Sequence, residues 1–358
     1  MKLFITLTIT CIILFVITNY TKQTVDKGYS IQIKNGENRS MTHHTESGFS
    51  NPEIGSRNVG FKDFLRWRKE RSKNHPTYES ALNTFPVFQP DWENIYKPPN
   101  DSQTVTWIGH ATLLVQFDGM NILTDPIFSD RCSPVQFIGP KRYTPLSITT
   151  EQLPTIHVVL LSHNHYDSLD EHTVKALGND PIWFVPLGLK KWFQSQGITN
   201  VIELDWWSEY EYKGFKFVST PTQHFSGRGL FDRNKTLWCS WVVLGKKHRF
   251  WFAGDTGYFS EFKKIGEKYG PFDLAAIPIG AYNPEWFMLP MHLNPQQAVQ
   301  VHQDIGSKQS IAIHWGTFIL TDEPVDEPPR LLQIAMQEIG SNQESFTVLK
   351  HGETKIYP

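Results

Sequence analysis

Five segments of this chain run an apolar stretch into a candidate metal ligand, and that recurrence constrains the fold more than any bulk property does. The sharpest is His157-Val158-Val159-Leu160-Leu161-Ser162, followed at once by His163-Asn164-His165-Tyr166-Asp167. The run is short, rich in β-branched residues and unbroken, which predicts a buried strand. In extended chain alternate side chains face one way, so His163, His165 and Asp167 can converge on one point. Neutral imidazole together with carboxylate is the ligand set of zinc or a similar divalent ion. The pattern returns at 215–223 before His224, at 249–254 before Asp255 and at 309–313 before His314, with Met291 before His292 as the weakest case. A single histidine after a strand is usually a surface or satisfied core residue. Several strand ends carrying His and Asp together predict a site on the loops at one edge of a sheet.

The rest of the chain can support such a site. Its 358 residues suffice for one large domain or two modest ones, and 24 Phe with 12 Trp can fill a sizeable core. A formal charge of −2 gives no electrostatic footprint for nucleic acid. Three cysteines exclude a disulfide scaffold; Cys132 and Cys239 read as buried free thiols, a pair in an oxidising compartment being the rival. Residues 3–20 carry no charge and lie between Lys2 and Lys22. That length is borderline for a bilayer span, and it fits an uncleaved signal anchor or a signal peptide. Residues 21–58 are polar and read as a flexible tether, leaving 59–358 for the folded domain.

Within that domain, 105–108 and 112–119 predict an antiparallel hairpin, and 61–73, 171–177, 259–269, 295–304 and 330–338 predict helices. Strands mixed with helices throughout argue for an α/β or layered fold. Asn294-Pro295 with Gln297 forms a capping box that places His292 just outside a rigid helix. Ser168 and Asp170 are both cap candidates for the helix after the His-rich motif.

His163-Asn164-His165-Tyr166-Asp167 resembles the metal motif of the metallo-β-lactamase fold. Further stretches resemble one branch of it, the N-acyl-phosphatidylethanolamine-hydrolysing phospholipases D. They include Thr106-Trp107-Ile108-Gly109-His110-Ala111-Thr112, Leu123-Thr124-Asp125-Pro126, Leu204-Asp205-Trp206-Trp207, Ala253-Gly254-Asp255-Thr256-Gly257 and Ile313-His314-Trp315-Gly316. The resemblance spans roughly 85–352 and implies a four-layer αββα sandwich with two Zn2+ ions at the sheet edge. Carried over by position, His163, His165 and His224 hold one ion, Asp167 and His314 belong to the other, and Asp255 bridges both. Asp167 would orient the nucleophile, and His292 would assist catalysis beside the substrate phosphate. His110 and Asp125 fall at supporting positions. The family's reaction converts N-acyl-phosphatidylethanolamine to an N-acylethanolamine and phosphatidic acid by attack of a metal-activated hydroxide on phosphorus.

The chain departs from the family at Ser168, where a second-site histidine is usual. A hydroxyl is a poor zinc ligand beside imidazole. His172 lies one helical turn beyond. Trp207, Arg228 and Tyr282 are candidate substrate contacts. The expected partners are a membrane phospholipid surface and, left open, a second copy of the chain; nucleic acid is not expected. Localisation is expected at a membrane through a single-pass anchor, on a side the sequence does not give. Two alternatives stay open: a metallo-hydrolase of another substrate, and a lipid-binding pseudoenzyme with a degraded second metal site.

Overall fold

Two seven-stranded sheets stack face to face in the computed structural model, which describes residues 43–53, 61–71 and 75–358. The chain enters through a small ribbon, β1 (His44–Thr45) and β2 (Gly48–Phe49), and three helices: α1 (Phe61–Glu70), α2 (Tyr78–Ala81) and α3 (Trp92–Tyr96). The first sheet then takes β3 (Gln103–Gly109), β4 (Thr112–Phe117), β5 (Met120–Thr124) and β6 (Val158–Leu160). After α4 (Glu171–Leu177) come β7 (Ile182–Pro186), α5 (Lys190–Ser195) and β8 (Val201–Leu204). The second sheet takes β9 (Glu209–Tyr212), β10 (Phe215–Thr220), β11 (Ser240–Leu244) and β12 (Arg249–Phe252). It continues through α6 (Glu261–Tyr269), β13 (Phe272–Pro278), α7 (Glu285–Met288), α8 (Pro295–Asp304), β14 (Ser307–Ile313), α9 (Glu327–Glu338) and β15 (Phe346–Thr347). Finally β16 (Thr354–Tyr357) returns to the first sheet beside β3.

The two sheets are built alike. In each, three antiparallel pairings give way to three parallel ones: from β5 outward in the first sheet, from β12 outward in the second. Parallel strands need crossovers, and helices supply them, so the parallel halves are covered on both faces. This explains the unbroken apolar run at β6. Val158 and Leu160 join the core between the sheets, while Val159 joins the cluster under α4 and α5 with Leu169, Val174 and Phe193. Across the gap Phe184 stacks on Phe217 at 4.3 Å, and Trp241 Nε1 donates to the Leu161 carbonyl at 2.8 Å. On the far side Phe262, Ile265, Val299, Leu332 and Met336 pack against the second sheet. The layers are therefore helix, sheet, sheet, helix, the αββα sandwich expected.

The predicted hairpin is β3–β4, and the predicted helices form with ends shifted by a few residues. Asn294 closes its capping box with Gln297. Asp170 rather than Ser168 caps α4, accepting from His172 N at 3.3 Å. Cys132 and Cys239 are buried and free.

One boundary differs. The polar segment 21–58 reads as tether, yet 43–53 are built into the fold. His43 and His44 each place Nε2 2.7 Å from a carboxylate oxygen of Asp205, and Phe49 N donates to the Asn234 carbonyl at 2.9 Å. Polar composition hid this strap, because long-range hydrogen bonds leave no local periodicity. The expected anchor, 3–20, and positions 21–42 and 54–58 lie outside the described residues. Among the described residues no helix is long and apolar enough to cross a membrane.

Candidate metal centre

Every ligand proposed from the sequence lies at a strand end or in the turn beyond it. His163, His165 and Asp167 sit in the loop leaving β6; His224 follows β10, Asp255 follows β12 and His314 follows β14. The loop after β6 is irregular, so turns rather than strand alternation aim its side chains. The three do not meet at one point. His163, His165, His224 and Asp255 place one ligand atom each within 4.8 Å of one another, while Asp167 joins a second group with His110 and His314.

In the first group His165 Nδ1 lies 2.7 Å from His163 Nε2 and 3.2 Å from His224 Nε2. Asp255 Oδ2 is 3.7 Å from His163 Nε2 and 3.8 Å from His224 Nε2. Tetrahedral ligands about 2.0–2.1 Å from zinc stand about 3.3 Å apart, and these separations scatter around that value. Second-layer contacts fix the rings. His224 Nδ1 lies 2.9 Å from the Met291 carbonyl, and His163 Nδ1 lies 2.8 Å from Ser162 Oγ. Asp125 in turn accepts from Ser162 N at 2.7 Å and from its Oγ at 2.5 Å, the supporting place expected of it.

In the second group Asp167 Oδ2 is 3.0 Å from His110 Nε2 and 3.3 Å from His314 Nε2. His314 Nε2 also lies 3.0 Å from Asp255 Oδ2, which links the two groups. His292 forms a third set with Asp255 and His314.

Burial shapes the charges. It presses the His163 imidazole down to about 3 and His292 to about 4, so both are neutral at pH 7. Burial opposes ionisation of Asp255 too, but the adjacent His314 outweighs it and holds the carboxylate well below its usual range. Asp167 is held down likewise by His110 and His314 against the same penalty. His314, with two carboxylates against it, rises to about 10 despite burial. Asp255 Oδ1 is buried without a hydrogen-bond partner. Two buried carboxylates among buried imidazoles, with an unpartnered Asp255 oxygen and a His314 that holds a proton against both carboxylates where a cation would otherwise sit, fit a divalent cation.

Other predicted contacts are placed elsewhere. Ser168 is fully buried beside Asp125: its N–H donates to the His165 carbonyl at 3.2 Å, and its hydroxyl makes no hydrogen bond of ordinary geometry. His172 is exposed on α4 and does not enter the cluster. The guanidinium of Arg228 donates to the carbonyls of Asn164 and Leu169 and lies over the Tyr166 ring at 3.9 Å, a scaffold role. Tyr282 donates to Glu327, and Trp207 packs at the edge of the core under Lys268. None of these three lines the cavity at the site.

That cavity measures about 790 Å³ and opens on His165, Asp167, Asp255 and His292. Phe64, Trp67, Phe225, Phe287, Met288 and Leu320 wall it, with Arg233 the cation at its side. Trp67 of α1 stacks on Phe287 at 5.4 Å, and its Nε1 donates to Asp322 at 2.6 Å. The aromatic pattern of α1 predicts a helix without showing what it faces. Asn51 and Arg233 were missed outright. Asn51 sits in the strap, where its Nδ2 donates to the His224 carbonyl at 2.8 Å and its Oδ1 accepts from His224 N at 3.0 Å.

A His/Asp cluster on the edge of an αββα sandwich defines a metal-dependent hydrolase of the β-lactamase superfamily, and residues 120–315 match the β-lactamase superfamily domain. Isothiocyanate hydrolase from Delia radicum gut bacteria shares the fold, with a TM-score of 0.56 at 19% identity, over 70% of this chain and 98% of that one. The chain is 43% identical to N-acyl-phosphatidylethanolamine-hydrolyzing phospholipase D 1 of Caenorhabditis elegans, over 80% of this chain and 84% of that protein. It is 37% identical to the mitochondrial enzyme of that description from Saccharomyces cerevisiae, over 70% of this chain and 55% of that one. The chain belongs to the N-acyl-phosphatidylethanolamine-hydrolysing phospholipase D family.

Proposed function

We propose that this protein hydrolyses N-acyl-phosphatidylethanolamine to N-acylethanolamine and phosphatidic acid, with zinc as its ion. The observation that carries the reading is the junction of a large aromatic cavity with the His/Asp cluster: apolar walls fit acyl chains, and the cluster fits a phosphodiester. The imidazole and carboxylate donors, with no thiol among them, suit zinc.

Bound there, zinc lowers the pKa of water and neutralises phosphoryl charge. His163, His165 and His224 would hold one ion, and Asp255 would face both positions. Asp167 accepts hydrogen bonds and so orients a water toward the cavity. His292, neutral and with Nδ1 buried and unpartnered, still has one N–H to position a phosphoryl or leaving-group oxygen. Arg233, over the Phe225 ring at 4.3 Å, places a positive charge beside the cavity for the phosphatidyl anion. The rim is apolar: Leu230 and Phe231 are 65% and 81% exposed and Trp286 is 41% exposed, in the segments that also supply Phe225, Arg233 and Phe287. Such side chains are favoured at a bilayer interface, so the cavity would open against the membrane that holds the substrate.

The test is release of N-acylethanolamine from vesicles of N-acyl-phosphatidylethanolamine, with Asp255→Asn alongside. Turnover by the wild type that vanishes in the variant supports the reading. A folded, zinc-loaded protein with no turnover sinks it, and Ser168 then favours the lipid-binding pseudoenzyme.

A further inference from the structure

Without an imidazole at position 168, the second metal position keeps only Asp167, His314 and the shared Asp255. We propose that His110 supplies the missing ligand, so that this chain binds its second divalent ion through His110 Nε2, Asp167 Oδ2 and His314 Nε2, with Asp255 shared.

The geometry matches. His110, Asp167 and His314 each place one ligand atom within 4.8 Å of the others. Separations of 3.0 Å from His110 to Asp167 and 3.3 Å from Asp167 to His314 suit tetrahedral ligands, which stand about 3.3 Å apart on zinc; Asp255 meets this set through His314, 3.0 Å away, and does not group with His110 and Asp167. The two rings lean together, with centroids 4.2 Å apart.

The backbone aims both. His110 and His314 have φ of +54° and +61°, a region costly for residues with a Cβ, so the surrounding structure must hold them there. It does: His314 N donates to the His110 carbonyl at 3.1 Å, Trp107 Nε1 donates to the same carbonyl at 2.9 Å, and His110 N donates to Thr317 Oγ1 at 2.7 Å. The backbone of His110 is thus set before any ion arrives, and its ring meets Asp167 through Nε2 while Nδ1 is buried without a partner. The rivals for the place fail on position. His172 is exposed, and His292 groups with Asp255 and His314 but not with Asp167.

A purely supporting role makes a different prediction. There His110 would donate a hydrogen bond to a metal-bound Asp167, which the side-chain amide of glutamine can also do, although it is a poor zinc ligand. The experiment strips and reloads the full-length protein with zinc or cobalt(II). It counts ions per chain by mass spectrometry and records the visible cobalt spectrum, all without substrate. The wild type should hold two ions and His110→Gln one, with the bands of one cobalt lost. Adding Ser168→His to His110→Gln should restore the second ion, which also shows that the variant folds. Two ions retained by His110→Gln would overturn the proposal, as would a wild type that holds one. The inference rests on the metal-hydrolase reading and not on the lipid, so a failed ion count and a failed vesicle assay are separate results.

Discussion

Replacing Asn51 with alanine should loosen a metal ligand from a distance of 173 residues along the chain. The Asn51 amide is 3% exposed and pairs with both backbone polar groups of His224, while its oxygen also accepts from Trp238 Nε1 at 3.1 Å. Alanine leaves the His224 N–H and carbonyl buried and unpaired, each costing about 1–3 kcal/mol. Trp238 keeps a second acceptor, the Thr222 carbonyl at 3.0 Å, and adds little. The loss is then about 2–6 kcal/mol, which for a domain of this size lowers the melting temperature by at least about 3 °C. The ring of His224 keeps its bond to Met291, so the ion should bind about 10–100-fold more weakly rather than not at all. Thermal melts of the chelated protein isolate the stability loss, and competition with a chromophoric chelator gives the affinity. A variant with wild-type melting and wild-type affinity would refute the claim that the strap braces the site.

Further outcomes follow from other residues. Asp255→Asn should abolish turnover and weaken binding at both metal positions, read by vesicle assay and ion count. Phe287→Ala should raise KM for a long-chain lipid about tenfold while sparing a short-chain analogue, since it removes apolar wall worth about 1–2 kcal/mol. Gly254→Ala should destabilise by about 1–3 kcal/mol, because a Cβ there would lie 2.4 Å from Ser162 Cβ at a φ of +62°; unchanged melting would refute it. His302 is buried 2.8 Å from Ser310 Oγ, and burial depresses it from 6.5 to about 4, so its native state resists protonation. That contribution is complete above pH 6.5 and fades as pH falls towards 4, amounting to about 3 kcal/mol; in His302→Asn the melting temperature should fall less steeply over that window.

What the sequence discloses is what local chemistry decides. A strand buried on both faces can read as an unbroken apolar run, as β6 does, and groups that follow a strand emerge at its edge, so the apolar stretches of β6, β10, β12 and β14 announce His163, His165, His224, Asp255 and His314 in advance. Helix caps are equally local, and Asn294 shows its box in four residues. Which of two nearby caps wins is not local: Asp170 caps α4 because it also receives Phe128 N at 3.3 Å and Ser129 Oγ at 2.8 Å, bonds from a loop 42 and 41 residues earlier. The strap is hidden for the same reason. Asn51 looks like any polar residue of a tether until the two backbone groups of His224 are seen to close on it. His110 lies between these cases. Its motif marks it as part of the centre, but only the placement of Asp167 and His314 shows that its ring reaches the position Ser168 leaves without an imidazole. A substitution at one ligand therefore has to be judged against every imidazole the fold delivers to that edge, and sequence order does not list them.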